Sequence, residues 1–461
     1  MRNLIIICVG FMVCVSCSVG EDYAEPQLYS DATIAQNLHI SAQKPLPRQW
    51  YKDFDDSQLN ILISKGLQNS TDIKTATARL KQARAQLQIT KVAALPQINA
   101  QSGYNYEKQS KNIGLAADSQ YYSLGFDASW EIDLWGKNRR QIEAGRANLK
   151  AVKYTLADVR LAVAAEIAAD YISLLENAEN LRLAEKNASL QQEILATVKA
   201  KYNSGLSDET AYSEAQYLLE NTKAQIPLYR AAVEQYRNAL AAVIGVLPEE
   251  LQINPQKSKL LSQASYGLKQ KLTEFPANIV RLRPDVAAAE QMLIAENALL
   301  GAAVAELYPD ISLSGLWGYA AKGGSKLIRS SSQTYNYAPL ISLPLLDWNR
   351  LQNNVRLQKY IKDEALENYK QSLLNAVAEI KNAQTAYAEA VVSAQNQYRA
   401  LGNMRNVVGL MQTKYQNGLI EFSDIVTSQQ NLIAAEQAYT AIRAQILQKK
   451  IAFYKAVGAP I

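Results

Sequence analysis

Residues 149–181 read LKAVKYTLADVRLAVAAEIAADYISLLENAENL, and they lie in the middle of a proline-free stretch that runs from Lys137 to Tyr202. Apolar residues recur in this stretch at steps of three and four, which is the spacing of one face of an α-helix. At a rise of about 1.5 Å per residue, such a helix would be roughly 100 Å long. A helix of this length needs neighbouring helices along its whole length. The sequence therefore predicts a bundle, a coiled coil or a tube.

The same kind of stretch occurs a second time, between Arg350 and Gln416. The two stretches end in similar sequences, KYNSGL at 201–206 and KYQNGL at 414–419, which are 213 residues apart (418 − 205). The same offset pairs Pro96 with Pro309, and it needs no insertion across the span. We infer an internal duplication. The predicted segments are a first repeat over 57–245, a crossover over 246–276 and a second repeat over 277–461.

The first residues carry a targeting signal. An apolar run over residues 4–15 follows Arg2 and is too short to cross a bilayer, so residues 1–16 are predicted to be a secretory signal peptide. The sequence Cys14-Val15-Ser16-Cys17 resembles a bacterial lipobox, so we expect a covalent lipid on Cys17 and no other cofactor. An ordinary signal cleaved nearby is the alternative. Residues 17–56 are expected to be a lipid anchor and an extended tether.

The periodicity changes after each of the paired prolines. From Tyr122 to Leu134 apolar and polar residues alternate, which predicts a β-strand with one apolar face. The other predicted strands are Gln97–Glu107, Ile311–Tyr319 and Tyr337–Leu345. All four are about long enough to cross a bilayer at a tilt. Four of the five tryptophans lie in or beside these strands: Trp130, Trp135, Trp317 and Trp348. The strands are therefore predicted to span a membrane, and a soluble hairpin domain is the alternative.

Four strands do not close a barrel, because the smallest closed barrels have about eight. An open sheet in lipid would leave edge N–H and C=O groups unpaired, at several kcal/mol each. The chain is therefore predicted to oligomerise. Two copies would supply eight strands without an open lumen, and three would supply twelve.

Further helices flank the strands. Amphipathic helices are predicted before each strand pair, over Ser57–Val92 and Asp285–Leu307. After Gly205 and Gly418 the chain is predicted to return as an antiparallel helix with heptad spacing. In the first of these helices Pro227 is predicted to cause a kink.

Together these features resemble the TolC-like outer membrane factor family, in its lipoprotein branch of multidrug efflux channels. The matching stretches include Arg283-Pro284-Asp285, Tyr308-Pro309-Asp310-Ile311-Ser312-Leu313, Ser342-Leu343-Pro344-Leu345, Asp424-Ile425-Val426 and Tyr454-Lys455-Ala456-Val457-Gly458. The resemblance implies a mixed α/β membrane protein, with long α-helices forming a trimeric α-barrel tube. It also implies four transmembrane β-strands per chain in a 12-stranded β-barrel.

The resemblance implies a function as well. The protein would be the exit duct of a tripartite efflux system, passively conducting drugs or other small molecules. Its partners would be two further copies in a homotrimer, a periplasmic adaptor protein, an inner-membrane pump and outer-membrane lipid. It would be a lipid-anchored protein of the cell outer membrane that extends into the periplasm.

The site residues implied by the resemblance lie at the two hairpin turns. Residues expected to contact the adaptor are Gly205, Leu206, Gly418 and Leu419. Residues expected to form a periplasmic gate are Lys414, Tyr415, Asp424, Thr427 and Glu214. In the family an aspartate stands at the place of Thr427. Here Asp424, or Glu214 at the equivalent position of the first repeat (427 − 213), is expected to supply the acidic group.

Other classes of function fit less well. An enzyme is not expected, because the sole histidine, His39, lies in the tether and no catalytic triad, phosphate loop or zinc-ligand spacing is present. The net charge of +5 is small and forms no basic cluster, which argues against a nucleic-acid partner. Open alternatives are a duct for type I protein secretion or metal-ion efflux, and a coiled-coil structural or adaptor lipoprotein that does not span the membrane.

Overall fold

The structure is a computed structural model of the 461-residue chain. It describes residues 18–26, 28–40, 48–108, 110, 112, 119–264, 276 and 278–461. The elements are, in chain order, α1 (Asp31–Asn37), α2 (Ser57–Asn69), α3 (Thr71–Ala93), β1 (Gln97–Glu107), β2 (Ser119–Glu131), α4 (Lys137–Asn203), α5 (Glu209–Ile244), α6 (Leu260–Gln263), α7 (Pro284–Ala305), β3 (Asp310–Ala321), β4 (Gln333–Ser342), α8 (Trp348–Gln416) and α9 (Phe422–Ala456).

The chain divides into two units. Unit 1 holds the four strands and comprises Arg79–Lys153 and Ala288–Gln371, together with the described residues up to Pro26. Unit 2 comprises Leu28–Ala78, Tyr154–Ala287 and Ser372–Ile461, and it contains both helical hairpin turns.

The strands of unit 1 form one antiparallel sheet in the order β1-β2-β3-β4. Its register brings the apolar positions of neighbouring strands to the same face. Phe126 lies opposite Ala100 on one side and Trp317 on the other, and the Phe126 and Trp317 rings stack with centroids 6.4 Å apart. Tyr104 and Tyr122 form a second ring pair on this face, at 4.9 Å. The alternation seen in the sequence therefore becomes a continuous aromatic face.

The opposite face of the sheet is polar. Asn99 Nδ2 donates to Asp127 Oδ2 across β1 and β2, at 3.1 Å. Gly125 and Gly318 lie opposite each other, and a Cβ atom on Gly318 would lie 2.6 Å from the Gly125 Cα. A larger residue at 318 would therefore push the two strands apart. Every residue of β1 is exposed in the single chain.

Residues 18–26 are held along unit 1. The Val19 N–H donates to the Trp135 carbonyl at 3.1 Å. The buried Arg140 guanidinium donates to the Gly20 carbonyl at 3.1 Å and forms an ion pair with Asp22 at 2.8 Å. The segment 18–26 is thus fastened where β2 leads into α4.

Unit 2 buries a conventional helical core, and the N-terminal turn Trp50–Phe54 packs against α9. Trp50 has no exposed surface, and its ring stacks on Tyr454 at 5.3 Å. The buried Lys450 ammonium lies 4.8 Å from the centre of the Phe54 ring. This turn therefore closes one side of the core.

The stretch Arg283-Pro284-Asp285 also belongs to unit 2. The buried Arg283 guanidinium donates to the Ala456 carbonyl at 2.7 Å and forms ion pairs with Asp285 and Glu379, both at 2.7 Å. Gly458 has φ +65°, and a Cβ atom on it would lie 3.0 Å from the Arg283 Cα. The motif thus joins the start of α7, the helix α8 and the C-terminal residues.

The helix expected over Ser57–Val92 is divided in two. Ser70 adopts ψ 132°, which is not helical, and it separates α2 from α3. Gly245, at the end of α5, approaches this point so closely that a Cβ atom on it would lie 2.7 Å from the Asn69 carbonyl oxygen. The break between α2 and α3 therefore lies where the end of α5 contacts the backbone at Asn69.

Other boundaries shift by a few residues. The segment expected to be extended over 17–56 contains the short helix α1, because the Ser30 hydroxyl accepts a hydrogen bond from Thr33 N–H and caps it. Strand β4 ends at Ser342, before Pro344, which has no N–H for a ladder. Pro227 lies inside α5 without ending it. Within the described residues, none of the helices has both the length and the apolar composition of a membrane-spanning helix.

Candidate functional site: the hairpin turns of unit 2

The first hairpin turn joins α4 to α5. Gly205 has φ +69°, and the Leu206 N–H donates to the Lys201 carbonyl at 2.9 Å. This left-handed helix end favours glycine, because any side chain there would be strained. The Asp208 carboxylate then accepts from Ala211 N–H at 2.9 Å and caps α5.

The second turn, between α8 and α9, has the same backbone. Gly418 has φ +71°, and the Leu419 N–H donates to the Lys414 carbonyl at 3.0 Å. Leu206 is 79% exposed and Leu419 is 71% exposed. Each turn therefore has an exposed leucine directly after a glycine. These four residues are the ones expected to contact an adaptor.

An aromatic contact joins the two hairpins. The Lys201 ammonium, at the end of α4, lies 4.7 Å from the centre of the Tyr415 ring, at the end of α8. The Tyr415 ring also meets Phe422 edge to face, with centroids 5.6 Å apart. Burial raises the pKa of the Tyr415 hydroxyl, and the Asp208 carboxylate raises it further. The hydroxyl is therefore neutral at neutral pH.

A small apolar cluster lies beneath this contact. We call it the tip cluster, and its buried members are Val198, Ala211, Ala215, Leu218, Phe422, Ile425 and Val426. The first four come from α4 and α5, and the last three come from α9. The two hairpins of one chain thus share a core at their ends.

A groove of about 460 Å³ runs beside the tip cluster, between α4 on one side and α8 and α9 on the other. Its walls include Ile194, Val198, Lys201, Tyr415 and Ile425. The cation–aromatic contact between Lys201 and Tyr415 lies in the same walls. Motion of one hairpin against the other would therefore change this groove.

The structure brings some of the expected gate residues into contact and leaves others at the surface. Tyr415 is half-buried in the contact described above. Lys414, Asp424 and Thr427 are exposed, and Glu214 is half-buried. The Thr427 hydroxyl donates to the Ser423 carbonyl of its own helix, at 3.0 Å. Within the described part of the chain, no ion pair joins the charged members of this set to one another.

Three residues of the site were not predicted from the sequence: Lys201, Asp208 and Phe422. The duplication offered a signal for Lys201, because it occupies the position of Lys414 in the first repeat (414 − 213). Asp208 and Phe422 carry no such signal, since their roles depend on how the hairpins pack.

The predicted lipidation site, Cys17, lies outside the described residues. Its neighbour Ser18 is described and lies against Gly136, where a Cβ atom would be 2.8 Å from the Ser18 hydroxyl oxygen. Gly136 has φ +85° and directly precedes α4.

Comparison with known proteins gives consistent matches along the chain. The family model described as outer membrane efflux protein matches residues 62–246 and 276–459. The cation efflux system protein CusC of Escherichia coli O6:H1 is 27% identical over 462 residues, which cover 99% of this chain and 98% of that protein. The pyoverdine export outer membrane protein OpmQ of Pseudomonas aeruginosa is 27% identical over 423 residues, covering 89% of this chain and 87% of that protein.

The fold agrees with these matches. The solved structure of the outer-membrane channel OprN superposes with a TM-score of 0.87 at 28% identity, covering 96% of this chain and 99% of that chain. The sequence prediction of long helices with four strands per chain in a TolC-like channel subunit is confirmed. The predicted function, an outer-membrane duct for efflux, is confirmed at the level of the family. The chain therefore belongs to the outer membrane efflux protein family.

Proposed function

We propose that three copies of this chain assemble into the outer-membrane duct of a tripartite efflux system. Each copy contributes four strands to a twelve-stranded barrel and its long helices to a tube that extends into the periplasm. The duct conducts cargo passively, and the partners are a periplasmic adaptor and an inner-membrane pump.

The observation that carries this proposal is the open sheet of unit 1. Its outer strands are β1 and β4, so both edges of the sheet lack a strand partner within the described chain. In lipid, each unpaired N–H or C=O group on an edge strand costs several kcal/mol. Pairing β4 of one copy with β1 of the next removes every edge. The aromatic face then meets lipid, and the polar face lines the lumen.

The number three follows from the size of the barrel. Two copies would make eight strands, and a barrel of about that size has an interior filled by side chains. Three copies make twelve strands and leave room for cargo. The family resemblance supports the same number.

The hairpin turns supply the adaptor contact in this proposal. Leu206 and Leu419 are apolar and exposed, and each follows a glycine with positive φ, as expected of side chains that bury on a partner. Gly205 and Gly418 fix the direction in which these leucines project.

The same region acts as the gate. The Lys201–Tyr415 contact holds the two hairpins of one copy together. The exposed Lys414, Asp424 and Thr427, with the half-buried Glu214, are available for contacts with neighbouring copies. Because single surface charges contribute little, such a gate depends on repetition of the contact by symmetry.

The lipid anchor is part of the proposal. A covalent lipid on Cys17 would begin next to Ser18, which packs against Gly136 just before α4. Trp135 and Tyr308 stack nearby, with centroids 4.8 Å apart, and such aromatic pairs favour the edge of a bilayer. An acyl chain starting there would reach the lipid that surrounds the sheet.

The cargo divides into two candidate classes. The name of OpmQ refers to pyoverdine export, whereas that of CusC refers to cation efflux. We propose a duct for small molecules and keep metal ions as the second candidate, on the strength of the match to CusC. A strain lacking this chain would become sensitive to dyes and organic antibiotics in the first case, and to metal salts in the second.

Conductance across a planar lipid bilayer tests the proposed duct. Purified chain should insert from detergent and produce uniform current steps, and detergent alone should produce none. Protein that is soluble without detergent and never conducts would instead support an adaptor or structural lipoprotein.

A further inference from the structure

A second cavity of unit 2 lies apart from the hairpin turns. It measures about 620 Å³ and lies between α4, α5 and residues 253–262, with one residue of α9 in its wall. Its charged lining residues are Glu179, Arg182, Glu185, Arg237 and Arg443. The lining thus contains three arginines and two glutamates.

Both glutamates are already engaged. Glu179 accepts two hydrogen bonds from Arg182, each at 2.9 Å. Glu185 forms an ion pair at 3.5 Å with Arg230, which is 64% exposed in its side chain and does not line the cavity. The two carboxylates of the lining are therefore paired with Arg182 and Arg230, which leaves Arg237 and Arg443 without a close carboxylate from the lining.

Arg443 is the least satisfied of these arginines. Its nearest carboxylate oxygen belongs to Glu179 and lies 3.9 Å away. Its hydrogen bonds to the Leu261 carbonyl and the Thr440 hydroxyl are long, at 3.4 and 3.3 Å. Burial lowers the pKa of the Arg443 guanidinium and outweighs Tyr439, whose ring centre lies 4.7 Å away, and Glu179, which both raise it; Arg182 lowers it as well. Burial of the Arg443 guanidinium therefore disfavours its charged form.

Two buried donors on the lining have no acceptor. The Nε atoms of Arg237 and Arg443 are both buried, and neither makes a hydrogen bond within the described residues. The remaining charged contact of Arg237 is through Nη1 to Glu234, on its own helix. A buried donor without an acceptor is costly, and it is more so when charged. A bound acceptor would remove that cost.

We propose that this cavity binds a small oxyanion, either a phosphate or a carboxylate, held by Arg237 and Arg443. Oxygen atoms on one central atom match the fork of a guanidinium, so one anion is able to accept from both side chains. The anion would link α5 to α9 and stabilise the region around residues 253–262. This inference is independent of the channel function, since it depends only on unit 2.

Isothermal titration of the full chain in detergent tests the proposal. Inorganic phosphate and citrate are the two probes, each against chloride at equal ionic strength. Binding of either probe supports the site and identifies its ligand class, and binding of neither overturns it. R237Q and R443Q should each weaken the affinity by about tenfold or more, because each removes a charged hydrogen bond.

R230Q is the matched control. Arg230 occupies the position of Arg443 in the first repeat (443 − 213) and carries the same charge, but it lies outside the cavity. Because Arg230 pairs with Glu185 on the lining, R230Q should weaken binding of the probe, but by much less than R237Q or R443Q. Equal affinity in R230Q, R237Q and R443Q would overturn the assignment.

A second measurement uses the unmodified chain and so does not depend on the folding of variants. Phenylglyoxal labels arginines, and mass spectrometry locates the labels. The bound probe should reduce labelling of Arg237 and Arg443 and leave that of Arg230 unchanged. Labelling that does not respond to the probe would contradict the site.

Discussion

Removing the charge of Lys201 should favour the open state of the duct. The Lys201 ammonium lies 4.7 Å from the centre of the Tyr415 ring, and the two residues belong to different hairpins. Any opening that separates the hairpins must break this contact. A cation–aromatic contact at a partly exposed site contributes about 0.5–1 kcal/mol.

The magnitude follows from the proposed trimer. Three copies that open together would lose about 1.5–3 kcal/mol of closed-state stability in K201Q. Since each 1.4 kcal/mol corresponds to a factor of about ten, the ratio of open to closed states should rise roughly 10- to 150-fold.

Single-channel recording in planar bilayers measures this ratio directly. K201Q and Y415A should both spend more time at high conductance than the unmodified chain. K199Q is the matched control, because Lys199 is an exposed lysine two residues earlier on the same helix. Records in which K201Q and K199Q have the same open fraction would refute the role of the contact.

Three further predictions concern unit 2. W50A should lower the free energy of unfolding by about 3–5 kcal/mol, since Trp50 is completely buried. Circular dichroism on heating would detect this loss, and an unchanged melting temperature would contradict it. G418A should destabilise the chain by roughly 1–2 kcal/mol, because Gly418 has φ +71°. G409A should instead stabilise the chain by about 0.5–1 kcal/mol, because Gly409 lies inside α8 with open space around it. Burial, with a smaller contribution from Glu166, raises the pKa of Asp170 from 3.8 to about 6. Its contribution to stability is therefore fully present below pH 3.8 and lost as the pH rises through about 6, and D170N should remove that part of the pH dependence of melting. Equal melting profiles for D170N and the unmodified chain between those two pH values would exclude the effect.

Periodicity was sufficient to predict the long helices and the strands of this fold. The steps of three and four in 137–202 predicted α4, and the alternation at 122–134 predicted β2. These signals are strong because long elements repeat them many times. Boundaries were less predictable. Strand β2 ends at Glu131, where the ladder gives way to the turn before α4, although the alternation continues to Leu134.

The site was predictable only where it depends on local backbone. The glycine turns at 205 and 418 follow from sequence, because a left-handed helix end favours glycine wherever it occurs. The Lys201–Tyr415 contact joins residues more than two hundred positions apart, so it depends on packing between the repeats. Sequence alone selected Lys414, which is the equivalent lysine of the second repeat and is exposed.

The central claim is that one chain supplies a third of the duct. Native mass spectrometry of the detergent-extracted protein tests it most directly, since detergent release in the gas phase preserves tight assemblies. We expect particles that contain three chains. A stable particle of one chain would contradict it.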